Sequence, residues 1–122
     1  MARTITIAII DDDAAVRETT GSLLRSLGYS TAKYASAEEF LKSGRMTETS
    51  CVVSDVRMPG MSGIELQAAL KAQGHQVPII FMTAFPEEAA RERALGAGAY
   101  GFLTKPFAEK NLVDCIVAAL QA

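Results

Sequence analysis

The sequence has no apolar stretch long enough to span a bilayer. Met1-Ala-Arg-Thr4 runs directly into a β-branched segment rather than into the apolar core of a secretory leader, so the expected compartment is the cytoplasm. Net charge is small, −2 over 122 residues, and gives no electrostatic reason to bind nucleic acid or an anionic membrane. Cysteine is scarce. Cys51 and Cys115 lie in apolar settings without CxxC spacing or metal-ligating neighbours, which leaves them as buried free thiols rather than a disulfide framework or a metal centre. The single histidine, His75, stands in the polar segment Gly74-His-Gln76 and reads as a solvated side chain, neither base nor phosphodonor. Repeats, linkers and low-complexity segments are also missing. What remains, 49% hydrophobic and 21% charged, is one globular domain over residues 1–122.

The chain alternates five times between β-branched apolar runs and segments with apolar residues at helical spacing. Thr4 to Ile10 is β-branched and reads as a strand that ends in Asp11-Asp12-Asp13. Asp13, just before Ala14, suits an N-cap. Val16, Thr20, Leu23, Leu24 and Leu27 then recur at helical spacing up to Gly28. Tyr29 to Tyr34 is a second strand, and Ser36 with Glu39 reads as an N-cap with its capping-box glutamate opening a short helix through Leu41. After a polar loop from Gly44 to Ser50, Cys51-Val-Val-Ser-Asp55 is an apolar run without polar alternation, as in a strand buried on both faces. Pro59-Gly60 and Ser62-Gly63 force a loop, with Met58 and Met61 packing it. Ile64, Leu66, Ala69 and Leu70 carry a third helix to Gly74, and Pro78 to Met82 a fourth strand ending on Thr83-Ala84. Pro86 suits the first turn of a helix that continues from Glu87 to Leu95. Tyr100 to Thr104 is a fifth strand ending on Lys105-Pro106-Phe107, and Leu112, Ile116 and Leu120 mark a last helix. Strict alternation with short connections predicts an α/β fold, a doubly wound parallel sheet with helices on both faces.

The strand ends carry the chemistry. In a parallel sheet the carboxyl ends share one edge, where open α/β folds place their ligand crevices. Asp11, Asp12, Asp55, Thr83 and Lys105 are therefore expected to converge. Clustered carboxylates repel one another unless a cation compensates them, and an all-oxygen site that keeps waters and accepts phosphate suits Mg²⁺. Asp55 at the end of the central strand is then placed to attack phosphorus, with Lys105 and Thr83 taking phosphoryl oxygens.

Four ordered segments carry a resemblance that covers essentially the whole chain: Ile9-Ile10-Asp11-Asp12, Asp55-Val-Arg-Met-Pro-Gly-Met-Ser-Gly63, Met82-Thr83-Ala84 and Gly101-Phe-Leu-Thr-Lys105-Pro106-Phe107. Together they resemble the receiver domain of two-component response regulators, most closely receivers attached to helix-turn-helix transcription regulators of the FixJ/NarL type. The resemblance implies a five-stranded sheet in the order 2-1-3-4-5 with five helices. It implies that Asp55 takes a phosphoryl group from a sensor histidine kinase, in a signalling domain that promotes its own phosphorylation and dephosphorylation rather than in an enzyme. Mg²⁺ would be held by Asp12, Asp55 and the backbone carbonyl of Arg57, and through water by Asp11. Thr83 and Lys105 would contact the phosphoryl group, the Lys105–Pro106 bond would be cis, and Thr83 and Phe102 would form the switch. The side chains two beyond the phosphoacceptor and two beyond the switch hydroxyl, Arg57 and Phe85, would tune hydrolysis. A phosphorylation-dependent homodimer through the fourth helix, fifth strand and fifth helix is expected, with Val113 and Val117 as its apolar ridge, and the output, whose domain would usually begin near Gln121-Ala122, would be transcription.

Two rival functions use the same residues. Asp11-Asp12-Asp13 contains the Asp-x-Asp spacing of a haloacid-dehalogenase-type phosphohydrolase, but no Asp-Asp pair follows the fourth strand. A flavodoxin-like binding module should show a Ser/Thr/Gly-rich phosphate loop after the first strand, where three acids stand instead.

Overall fold

A computed structural model describes residues 4–121. The expectations resting on Met1 to Arg3 and on Ala122 lie outside the described residues. Five strands, β1 (Thr6–Ile10), β2 (Ser30–Tyr34), β3 (Cys51–Asp55), β4 (Ile79–Thr83) and β5 (Gly101–Thr104), alternate with five helices, α1 (Ala14–Ser26), α2 (Ala37–Ser43), α3 (Gly63–Ala72), α4 (Glu88–Gly96) and α5 (Glu109–Leu120). All pairings are parallel, in the order β2-β1-β3-β4-β5. The expected doubly wound fold and strand order are both found.

Strand parity divides the core. Ala8, Ile10, Val52, Ile79 and Phe81 face one way, with Phe40, Ile64, Leu66 and Leu70 of α2 and α3. Ile7, Ile9, Cys51, Val53, Ile80 and Met82 face the other, with Leu24 of α1 and Leu112 and Ile116 of α5. Every residue of β3 and β4 is buried, which is why neither strand shows polar alternation.

Local chemistry sets the element ends. Asp13 caps α1 by accepting the Ala15 and Val16 N–H groups at 2.9 and 3.3 Å. Ser36 caps α2, but Glu39 reaches back to the Ala35 N–H at 3.3 Å rather than to that of Ser36, so the box expected there is not closed. A complete capping box stands instead at Ser62 and Glu65, opening α3. Helix α2 runs on past Leu41 to Ser43, where Gly44 turns left-handed at φ 68°. A 3-10 turn over Met46–Glu48 lies within the expected polar loop.

Some expectations are corrected. Pro86 is not in the first turn of α4, because Glu87 is still extended and serves as its N-cap. Cys51 is fully buried, but Cys115 is only partly so, since it lies where α5 crosses the edge strand and packs against Gly101. His75 is half-buried in the loop that returns to β4, with its backbone N–H on the Leu70 carbonyl. Met58 is buried and Met61 packs on the same cluster, as expected.

Candidate active site

The site is built at the carboxyl edge of the sheet. Parallel register aligns Ile10 with Ser54, Asp55 with Met82 and Thr83 with Thr104, so residues at or just past four strand ends share one rim. Backbone bonds continue past the strands, from Val56 N–H to the Met82 carbonyl at 3.1 Å and from Lys105 N–H to the Thr83 carbonyl at 2.8 Å.

Asp11, Asp12 and Asp55 each offer a carboxylate oxygen within 4.8 Å of the others. Asp11 and Asp55 are buried and Asp12 is exposed. Lys105 Nζ bridges the buried pair, 2.8 Å from Asp11 Oδ2 and 3.6 Å from Asp55 Oδ2. Its peptide bond to Pro106 is cis. The other Asp11 oxygen, Oδ1, accepts the Asp13 N–H at 2.9 Å. Both oxygens of Asp11 are thus engaged, while Asp55 keeps the freer carboxylate.

Burial pushes the Asp55 carboxyl above its ordinary range, and the neighbouring Asp11 charge adds to this, while Lys105 pulls less strongly the other way. For Lys105, burial favours loss of the proton, but the hydrogen bond and attraction to Asp11, with the attraction to Asp55, outweigh it and raise the pKa. One cation against three carboxylates leaves an acidic cleft. A second cation is the natural complement, and the all-oxygen donors fit a hard divalent ion.

Thr83 is buried, and its Oγ1 accepts the Phe85 N–H at 3.0 Å, which leaves the hydroxyl proton for another acceptor. Phe102 is not in the carboxylate cluster. It is half-buried on the neighbouring strand, with its ring 6.3 Å from that of Phe81, on the face that Phe81 and Thr83 share by strand parity. Arg57, in the exposed loop after Asp55, lays its guanidinium 5.3 Å from the centre of the Phe85 ring and pairs with Glu87. Phe85 itself is 64% exposed. His75 precedes β4 and lies at the opposite edge of the sheet from the carboxylates.

Three contacts were not anticipated from the sequence. Arg17 Nη1 donates to the Asp11 carbonyl at 2.6 Å, tying α1 to the acidic turn. Glu38 Oε2 accepts the Met61 N–H at 3.1 Å, tying α2 to the loop after Asp55. Gln67, buried on α3, donates to the Ala94 carbonyl of α4 at 3.1 Å. None has a local signature, because each partner is set by tertiary packing. The Ser62-x-x-Glu65 box, by contrast, was readable in the sequence.

Comparison with known proteins gives a consistent result. The family model described as the response regulator receiver domain matches residues 7–117. The response regulator protein TodT of Pseudomonas putida strain F1 is 44% identical over 119 residues, covering 98% of this chain and 52% of its own length. The transcriptional regulatory protein FixJ of Azorhizobium caulinodans is 38% identical over 120 residues, covering 98% and 57%. Among solved structures, the response regulator StyR superposes with a TM-score of 0.88 at 45% identity, covering 97% of this chain and 60% of that one. The chain therefore spans about half the length of the curated relatives it matches.

Proposed function

The chain belongs to the response regulator receiver domain family, and from that premise we propose that Asp55 accepts a phosphoryl group from the phosphohistidine of a sensor histidine kinase in a Mg²⁺-dependent reaction. The observation that carries this reading is the Lys105 ammonium lying between Asp11 and Asp55 at the rim where three carboxylates gather. Asp11 is fully buried with both oxygens engaged, which argues against it as the nucleophile of a phosphohydrolase.

One Asp55 oxygen forms the new bond to phosphorus as the bond from phosphorus to the kinase imidazole nitrogen breaks. The electron pair leaves with that nitrogen, which regains a proton from solvent. Lys105 Nζ lies 3.6 Å from Asp55 Oδ2 and would follow the charge from the carboxylate to the phosphoryl group. Thr83 supplies its hydroxyl proton to another phosphoryl oxygen. Asp12, Asp55 and the Arg57 carbonyl would hold Mg²⁺ directly, with Asp11 acting through water. When bound, Mg²⁺ neutralises phosphoryl charge that the acidic rim would otherwise repel.

Movement of Thr83 toward the phosphoryl group vacates space on the face it shares with Phe102, so the ring can turn inward. This reshapes the surface of α4, β5 and α5. Only Ala94 of α4 is buried, so little apolar area opposes a shift of that helix. Leu95 of α4 and Val117 of α5 are exposed, Tyr100 is exposed just before β5 and Val113 is partly so, an apolar surface suited to a phosphorylation-dependent homodimer. The output would be control of transcription, the role that the name of the transcriptional regulatory protein FixJ states for that relative, in the cytoplasm.

The test is labelling with a small-molecule phosphodonor in the presence of Mg²⁺. An alkali-labile acyl phosphate on Asp55, lost in Asp55→Asn and weakened with Mg²⁺ affinity in Asp12→Ala, supports the reading. Label on Asp11, or none at all, refutes it.

A further inference from the structure

The loop from Val56 to Ser62 begins directly after Asp55 and carries Arg57. It is closed at its base by the Gly63 N–H on the Val56 carbonyl at 2.9 Å and leads into the Ser62 and Glu65 capping box. Its tip is held from elsewhere. Glu38 of α2, 23 residues away in sequence, accepts the Met61 N–H on Oε2 at 3.1 Å. Gly60 has φ +78°, and a Cβ built there would lie 2.3 Å from the same Glu38 oxygen, so the carboxylate occupies the space that a side chain would need. The other oxygen, Oε1, is buried and, among the described residues, has no hydrogen-bond partner. A carboxylate with one bare buried oxygen is costly, and a helix gains little from keeping one there. A helix-dipole role does not require burial, since a solvated glutamate in the first turn serves as well.

We propose that Glu38 is a positioning residue for the phosphoacceptor site: its carboxylate, seated over Gly60 and bonded to Met61, fixes the loop that follows Asp55 and so sets the Arg57 carbonyl for metal binding. The proposal rests on the receiver reading above. Glu38 touches neither Asp55 nor the phosphoryl group and acts only through backbone. A carboxylate suits the task because a charge-assisted bond to an N–H is shorter and stronger than a neutral one. Glutamine retains one acceptor oxygen for Met61, whereas alanine retains none.

The experiment compares wild type, Glu38→Gln and Glu38→Ala by three measurements: hydrogen exchange at the Met61 amide in metal-free protein, Mg²⁺ affinity by calorimetry, and the rate of Asp55 labelling by a small phosphodonor. Loss of one hydrogen bond corresponds to about a fivefold effect. Glu38→Ala should speed Met61 exchange and weaken Mg²⁺ binding by about that factor, with exchange in β3 unchanged, and Glu38→Gln should recover most of both. If β3 exchange rises together with Met61, the role is merely structural and the proposal is overturned. It is equally overturned if Glu38→Ala binds Mg²⁺ and labels like wild type, or if Glu38→Gln is as impaired as Glu38→Ala. A wild-type protein that takes no label refutes the receiver reading instead, and the exchange measurement still decides whether Glu38 holds the loop.

Discussion

Replacing Lys105 with methionine removes the ammonium from the acidic rim while keeping a chain of similar length. At 2.8 Å from Asp11 Oδ2 and 3.6 Å from Asp55 Oδ2, the two attractions amount to about 6 and about 5 kcal/mol before desolvation at an effective dielectric near 20. Most of that is offset by the cost of taking three charges out of water. The raised Lys105 pKa gives the sign, because attraction wins over burial. Deleting one partner of a buried pair costs roughly 3–5 kcal/mol, and the lower end applies here because the Lys105 side chain keeps 19% exposure. For a domain of this length, each kcal/mol lowers Tm by about 4 °C, so Lys105→Met should melt about 12 °C below wild type near neutral pH without metal. The deficit should shrink when Mg²⁺ is added, since a divalent cation can serve the carboxylates that the ammonium abandoned. It should also vanish in alkali. A raised lysine pKa contributes stability that is fully present below the unfolded value of about 10.4 and is lost as pH rises through the folded value. Thermal unfolding followed by circular dichroism at neutral and alkaline pH measures all three effects. A Tm within about 3 °C of wild type at neutral pH would show that the bridge adds nothing net.

Asp55→Asn should be more stable than wild type at neutral pH, because the raised carboxyl pKa means that the fold disfavours the ionised form. For such a group, stability falls as pH rises from the ordinary carboxylate value through the raised one. The advantage of Asn should therefore disappear below about pH 4, where Asp55 is protonated folded or unfolded; equal melting temperatures at neutral pH would contradict it. Phe85→Ala removes an exposed ring stacked under Arg57 and should shorten the lifetime of phospho-Asp55 by opening the path of the in-line water. Dephosphorylation that is unchanged or slower counts against that role. Val113→Asp should keep beryllofluoride-treated protein monomeric in sedimentation while leaving Asp55 labelling intact, whereas wild type dimerises; a wild type that stays monomeric with the phosphoryl mimic sinks the dimer.

Much of the fold was legible because its signals are local. Continuous β-branched apolar runs alternated with 3.6-residue spacing along the chain, and residues at the strand ends were forced onto one rim by parallel pairing alone. Asp13 was readable as a cap because an N-cap bonds only two and three residues ahead. Asp11, Asp12, Asp55 and Lys105 could be brought together on paper for the same reason. Only packing could decide the rest. Glu39 bonds Ala35 rather than Ser36, a choice of one residue within a single turn that propensity does not resolve. Cys115 is half-open because α5 crosses the edge of the sheet. Glu38 looks in sequence like any first-turn glutamate, and it becomes a clamp only because the winding of the sheet lays α2 beside the loop from β3 to α3. Composition and spacing determined which groups stand at the ends of the strands, while tertiary structure decided which helices hold them, since a hydrogen bond between elements far apart in the chain leaves no periodic trace in either.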